Sequence, residues 1–184
     1  MSSHTSAVSR QAPWHACSPL PQRDARPAAA ALPCVIGGSY PAPPSGDHPA
    51  ASPAWPRRDG IEMCAAPAAV RQARLRSRQV LRDWGLGELS ADTELLVSEL
   101  MTNAIAVARS APVVRMWLLA DTDRVLVLAW DPSPLPPLLM HSGDDGEHGR
   151  GLRIVEALST QWDWYRPQAM PGKAVWAIAG GPRA

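Results

Sequence analysis

One short segment, SELMTNAIAVA at residues 98–108, carries two side chains whose types and spacing can do chemistry. Glu99 and Asn103 lie four residues apart, and residues at that spacing stack on one face of a helix. Such a pair has the geometry to hold a metal-bound phosphate beside a general base. Taken alone, the pair also fits an ordinary exposed acid and a tolerated mid-helix asparagine, so the segments that follow decide its meaning.

Three later segments supply groups that a site around this pair would need. The run AWDPSP ends a β-rich stretch on Asp131, and GKAVWAIA predicts a final strand. Between them, GEHGRGLRIVEALS places Gly149, Arg150 and Gly151 at the start of a helix. A glycine-rich helix start favours an anion, because its N–H groups are unpaired and the positive end of the dipole lies there. Two glycines are a weak indication alone, whereas the ordered set is a strong one.

The elements that position these residues are predicted from residues 61–184. Apolar stripes indicate one helix that begins near Pro67, a second that Ser90 caps, and a third that follows Gly151. The runs VVRMWLLA and VLVLAW predict one hairpin, and TQWDWYR and KAVWAIA predict another. We therefore predict an α+β fold, a two-layer α/β sandwich with about three helices on one face of a mixed, mainly antiparallel four-stranded sheet.

Residues 1–60 differ from the remainder in composition. Eleven of the 20 prolines fall there, and alanine, serine and glycine fill most of the other positions. Such a segment buries too little apolar surface to offset its ordering entropy, so we predict a disordered Pro/Ala-rich tail at 1–60 and a folded domain at 61–184. A spacer or a misassigned start codon is the favoured interpretation. A docking tail anchored by Trp14, Trp55 and Val35-Ile36 is the alternative.

The charge of the chain gives no reason to expect nucleic-acid binding. The formal net charge is +1 over 184 residues, so there is no global positive field. One helix face carries four arginines and could form a nucleic-acid stripe, but no aromatic residues are interleaved with them. A solvated face or a surface for an acidic partner is therefore favoured. These arginines are Arg71, Arg74, Arg78 and Arg82.

Segments that target a protein to a membrane or for export are not apparent. The chain has no apolar run of about 18 residues and no basic-then-apolar leader pattern at its start. Its three cysteines, Cys17, Cys34 and Cys64, lack the CxxC spacing of a metal site. Reduced thiols in the cytosol are the simplest interpretation, and we predict a cytoplasmic protein.

The segments SELMTNAIAVA, AWDPSPLPP, GRGLRIVEALSTQWDW and GKAVWAIA, in this order and at these spacings, resemble a known family. It is the ATP-binding domain shared by gyrase, histidine kinases and MutL, called the GHKL or Bergerat fold. Within it, the chain is most similar to the small bacterial anti-sigma-factor serine kinases and their single-domain actinobacterial relatives. The resemblance covers residues from about 61 to 180.

This resemblance implies ATP and Mg²⁺ as cofactors and a role for each site residue. Asn103 would coordinate the Mg²⁺ that bridges the phosphates, since a hard cation prefers an oxygen ligand. Glu99 would be the general base that takes a proton from a serine hydroxyl or from water. Asp131 would accept a hydrogen bond from the adenine amino group. The other nucleotide-binding residues that the resemblance implies are Gly149, Arg150, Gly151 and Leu152.

The implied function is that of an ATP-binding regulatory protein in a partner-switching pathway. It would act as a serine protein kinase on an anti-sigma antagonist protein, with a sigma factor and a second copy of the chain as further partners. No direct contact with nucleic acid or a membrane is implied. The alternative is a catalytically silent, nucleotide-dependent protein-binding module. That alternative depends on Ala106 and Val107, which stand where many relatives have a basic residue and a histidine.

Overall fold

The computed structural model describes residue 50 and residues 54–108, 113–137, 151–168 and 170–181. Within these ranges, no helix is both long and apolar enough to cross a membrane. The strands are β1 (Arg57–Cys64), β2 (Val113–Ala120), β3 (Arg124–Asp131), β4 (Gln161–Tyr165) and β5 (Lys173–Gly180). The α-helices are α1 (Pro67–Asp83), α2 (Ser90–Val107) and α3 (Gly151–Leu158).

The five described strands form one sheet in the order β1-β2-β3-β5-β4. The α+β prediction is confirmed, but the sheet has five strands instead of four, and every described pairing is antiparallel instead of mixed. The strand that the sequence prediction missed is β1, in which Ile61 and Met63 are the buried apolar residues. Among the described strands it pairs with β2 alone, and two inward apolar residues give a weak periodic signal.

The position of β1 also moves the start of the folded part. This strand begins at Arg57, four residues before the predicted boundary at residue 61. Trp55 is buried and packs with Ala50 in an apolar cluster on the second face of the sheet. Residues 54–60 therefore belong to the folded part, and Trp55 is one of its packed residues. The remainder of the predicted tail, with Trp14 and Val35-Ile36, lies outside the described residues, and its disorder stays a prediction.

The first face of the sheet is covered by the helices. Alternate residues of β3, namely Val125, Val127 and Ala129, are buried in the cluster that also contains the apolar stripe of α2. Because side chains alternate along a strand, Asp131 continues this inward series at the end of β3. Asp131 also pairs in register with Lys173, the first residue of β5. Both polar side chains are thereby placed on the face that meets α2.

A charged contact joins the first two helices. The guanidinium of Arg78 donates to the two carboxylate oxygens of Glu94 at 2.8 and 2.5 Å, and Arg74 lies 3.8 Å from the same carboxylate. These hydrogen bonds lower the pKa of Glu94. Two of the four arginines in the predicted stripe thus contact a carboxylate within the domain. This favours the interpretation of the stripe as a solvated face over a nucleic-acid surface.

The start of α2 differs from the prediction in its capping. The helix begins at Ser90 itself and follows a short 3-10 turn, Gly87–Leu89, so Leu89 occupies the capping position. The Ser90 hydroxyl donates to Glu94 Oε1 at 3.0 Å. The predicted Ser90 cap is therefore wrong, because the preceding turn already leads the backbone into the helix.

Cys64, the last residue of β1, is joined in a disulfide bond. Cys17 and Cys34 both lie outside the described residues. The expectation of reduced thiols is wrong for Cys64, which is disulfide-bonded. The cytoplasmic location loses this support and stays a prediction.

Candidate functional site

A cavity of about 560 Å³ lies between α2, the start of α3 and the paired ends of β3 and β5. Its volume falls within the usual range for cofactor and small-molecule sites, about 300–1,000 Å³. Five of the seven predicted site residues line it: Glu99, Asn103, Asp131, Gly151 and Leu152. The other two, Gly149 and Arg150, lie outside the described residues. The structure therefore brings together groups that are separated by up to 53 positions in the chain.

The pair that the helical spacing predicted lies against the first residue of α3. A Cβ placed on Gly151 would be 2.6 Å from Glu99 Oε2, 3.6 Å from Asn103 Nδ2 and 3.7 Å from Asn103 Oδ1. Glycine is thus the residue that lets the start of α3 approach both side chains. The N–H groups in the first turn of a helix point away from the carbonyls of their own helix, so those of α3, with the positive end of the helix dipole, can bind phosphate oxygens beside Glu99 and Asn103.

Glu99 is only half-buried, yet its surroundings change its acidity. Burial raises the pKa of Glu99 above the ordinary value of 4.5. A carboxylate with a raised pKa holds a proton more readily, and a general base is most effective when its pKa lies near the working pH. The direction of the shift therefore suits proton abstraction.

The donor atoms near α3 fit a magnesium ion that arrives with phosphates. Among the described residues, no group of three or more His, Cys, Asp or Glu side chains could hold a metal ion. Mg²⁺ is usually held by one or two protein oxygen ligands together with water and substrate phosphates. Asn103 Oδ1 would be such a ligand, with the Glu99 carboxylate close to it. When bound, the ion would neutralise phosphate charge.

Asp131 and Lys173 form a buried ion pair elsewhere in the cavity lining. Lys173 Nζ donates to Asp131 Oδ1 at 2.9 Å, and the two side chains are 5% and 3% exposed, respectively. The backbone N–H of Ser133 donates to the same oxygen, also at 2.9 Å. Asp131 Oδ2 accepts no hydrogen bond from the described residues. Burial raises the pKa of Asp131, although the bonds from Lys173 and Ser133 oppose that rise.

The turn before β5 fixes where Lys173 lies. Gly172 has a φ of 102°, and a Cβ there would overlap the backbone carbonyl oxygen of Asp131. Only glycine adopts this conformation without strain and allows the close approach. Lys173 was not among the residues predicted for the site. A lysine that opens an otherwise apolar strand, opposite a strand-end aspartate, is the sequence signal that could have identified it.

The remaining lining is mostly apolar. Leu135, Pro136 and Pro137 come from the proline-rich segment after β3, and Ala106 and Val107 come from the last turn of α2. In the sequence, the connection from Pro132 to His148 is long and begins with several prolines, which favours a lid over a ligand. Its first part, through Pro137, does line the cavity, and residues 138–150 lie outside the described ranges.

Comparison with known proteins agrees with this geometry. The sequence matches a family model described as histidine kinase-like ATPase domain over residues 63–178. A search of curated proteins found no match. The matched range covers more than half of the chain and includes every described residue that lines the cavity. The chain therefore belongs to the family of histidine kinase-like ATPase domains, whose GHKL-type fold implies ATP binding.

Proposed function

We propose that this protein is an ATP-dependent serine protein kinase of the anti-sigma-factor type, which phosphorylates an antagonist protein in a partner-switching pathway. The observation that supports the proposal is the convergence of Glu99, Asn103 and Gly151 at the start of α3. Phosphates bound there would have a carboxylate of raised pKa beside them. A sigma factor and a second copy of the chain are the further partners proposed.

In the proposed reaction, the carboxylate of Glu99 takes the proton of a serine hydroxyl on the partner protein. The serine oxygen forms a bond to the γ-phosphorus, the bond from that phosphorus to the bridging oxygen of the β-phosphate breaks, and ADP leaves. N–H groups at the start of α3 stabilise the phosphate oxygens, and Asn103 provides an oxygen ligand for Mg²⁺. Positioning and charge stabilisation of this kind account for most of the catalysis in phosphoryl transfer.

The second candidate, a nucleotide-dependent binding module without catalysis, is supported by the last turn of α2. Ala106 and Val107 line the cavity there, and Val107 is 44% exposed. Neither side chain can donate a hydrogen bond to a phosphate oxygen. A site with this turn would bind ATP through its other groups while having fewer contacts that stabilise transfer.

An assay with the unmodified protein distinguishes the two candidates. Co-purification followed by mass spectrometry would identify the protein partner, and ATP labelled in the γ-phosphate would report transfer to it. Label on a serine of the partner supports the kinase. Calorimetric binding of Mg·ATP with neither transfer nor hydrolysis overturns the kinase and supports the binding module. Failure to bind ATP would contradict both.

A single methyl group at the start of α3 should impair catalysis. In Gly151→Ala the new Cβ would lie 2.6 Å from Glu99 Oε2, the end of a flexible side chain, so the carboxylate must move while the backbone stays. Because small misplacements of catalytic groups are costly, we expect kcat for transfer to fall about tenfold. Gly87→Ala is the matched control, since nothing lies within 4 Å of its added Cβ. Equal rates in both variants would contradict this steric constraint on Glu99.

A further inference from the structure

We propose that Lys173 donates a hydrogen bond to ring nitrogen N1 of adenine, next to the 6-amino group that the resemblance already assigns to Asp131. This inference depends on the proposed ATP binding and extends it to base selectivity. It makes Lys173 a specificity-determining residue of the site.

The first argument is the state of the lysine. The Lys173 side chain is 5% exposed and lines the cavity, and Asp131 Oδ1 is the one acceptor that the described residues offer its ammonium group. A lysine ammonium carries three N–H donors. Buried donors are nearly always paired with protein, water or ligand, because an unpaired buried donor is unfavourable. The remaining N–H donors of Lys173 therefore need an acceptor within the cavity.

The second argument is the number of acceptors left on the aspartate. Asp131 Oδ1 already accepts from Lys173 Nζ and from the Ser133 N–H, so Oδ2 is the oxygen that remains for a ligand. The ion pair thus offers one acceptor next to a cationic donor.

The edge of adenine complements that arrangement. This edge presents an amino donor, N6–H, next to a ring acceptor, N1. The donor matches the free carboxylate oxygen of Asp131, and the acceptor matches the ammonium group of Lys173. The corresponding edge of guanine presents an acceptor, O6, followed by two donors, N1–H and N2–H. In the position proposed for adenine, O6 of guanine would face the Asp131 carboxylate and N1–H would face the Lys173 ammonium, so an acceptor would meet an acceptor and a donor would meet a donor. The pair therefore selects adenine.

A different role for Lys173 would be to neutralise Asp131 without touching the ligand. Burial of an unpaired carboxylate is unfavourable, so a counter-ion alone has a physical purpose. In that case the affinity would not depend on atom N1 of the base. The two roles can be separated by an analogue that lacks only this atom.

The test is calorimetry with Mg·ATP and with 1-deaza-ATP, in which a C–H group replaces N1 and the amino group is kept. We expect the unmodified protein to bind ATP about tenfold more tightly than 1-deaza-ATP, as for loss of one charged hydrogen bond. In Lys173→Met the two ligands should bind with equal affinity. The control is Arg124→Met, which removes the cation of the Arg124–Asp121 ion pair at the other end of β3. The Arg124→Met variant should still bind ATP about tenfold more tightly than 1-deaza-ATP.

Equal affinities for ATP and 1-deaza-ATP in the unmodified protein would overturn the role of Lys173 while leaving ATP binding intact. That result does not require Lys173→Met to fold. An unchanged ratio in Lys173→Met, or GTP bound as tightly as ATP, would also overturn it. Failure of the unmodified protein to bind any of these nucleotides would instead overturn the proposed function, and this inference with it.

Discussion

Glu99→Gln is expected to abolish phosphoryl transfer from ATP to the partner protein while ATP still binds. The amide has nearly the same shape as the carboxylate, so the contact with Gly151 is kept, but it cannot take the serine proton. Loss of a general base lowers a rate by about 10²–10⁴-fold, and we expect kcat to fall within that range. Transfer of labelled γ-phosphate measures the rate, and calorimetry measures the affinity for Mg·ATP.

The pH profile provides a second readout of the same change. Burial raises the pKa of Glu99 above 4.5, and only the deprotonated carboxylate can accept a proton. The rate should therefore rise with pH through this raised pKa and level off above it, and the rise should be missing in Glu99→Gln. Glu156→Gln is the control, because Glu156 is exposed on α3 and does not line the cavity. Undiminished transfer in Glu99→Gln would show that another group is the base.

The parts of the site that the sequence predicted depend on local patterns. Glu99 and Asn103 lie within one helix, so their shared face follows from the helical repeat alone. Asp131 ends an apolar run followed by several prolines, which identifies a strand end without knowledge of its neighbours. Gly151 belongs to a glycine-rich start of a helix with an apolar stripe, and α3 spans Gly151–Leu158. In each case the signal spans only a few residues.

The parts that escaped prediction depend on pairing between distant segments. Lys173 matters because the register of β3 with β5 places it opposite Asp131, 42 positions away. Strand β1 is defined by its pairing with β2, and its own sequence has little periodicity. The approach of Gly151 to Glu99 depends on how α3 packs on α2. A single sequence carries no direct record of such register or packing.

The second large effect is expected at Asp131. Asp131→Ala should weaken ATP binding by about 100-fold or more, because it removes the proposed acceptor for the adenine amino group. It also leaves the buried ammonium of Lys173 without its carboxylate, which is strongly destabilising. Thermal unfolding with and without Mg·ATP must therefore accompany calorimetry. Unchanged affinity in a folded Asp131→Ala variant would contradict the adenine assignment.

Asp131→Asn separates recognition from folding. Lys173 Nζ and the Ser133 N–H both donate at the Oδ1 position, so the amide oxygen should lie there and the amide nitrogen should take the place of Oδ2. The variant then places an N–H donor opposite the 6-amino group of adenine, which is also a donor. The shape of the side chain is kept, but the affinity for ATP should fall about 100-fold. Asp163→Asn, on the exposed face of β4, is the matched control. Full affinity in Asp131→Asn would mean that the 6-amino group does not bind at Oδ2, because an amide held in this orientation has no acceptor left for it.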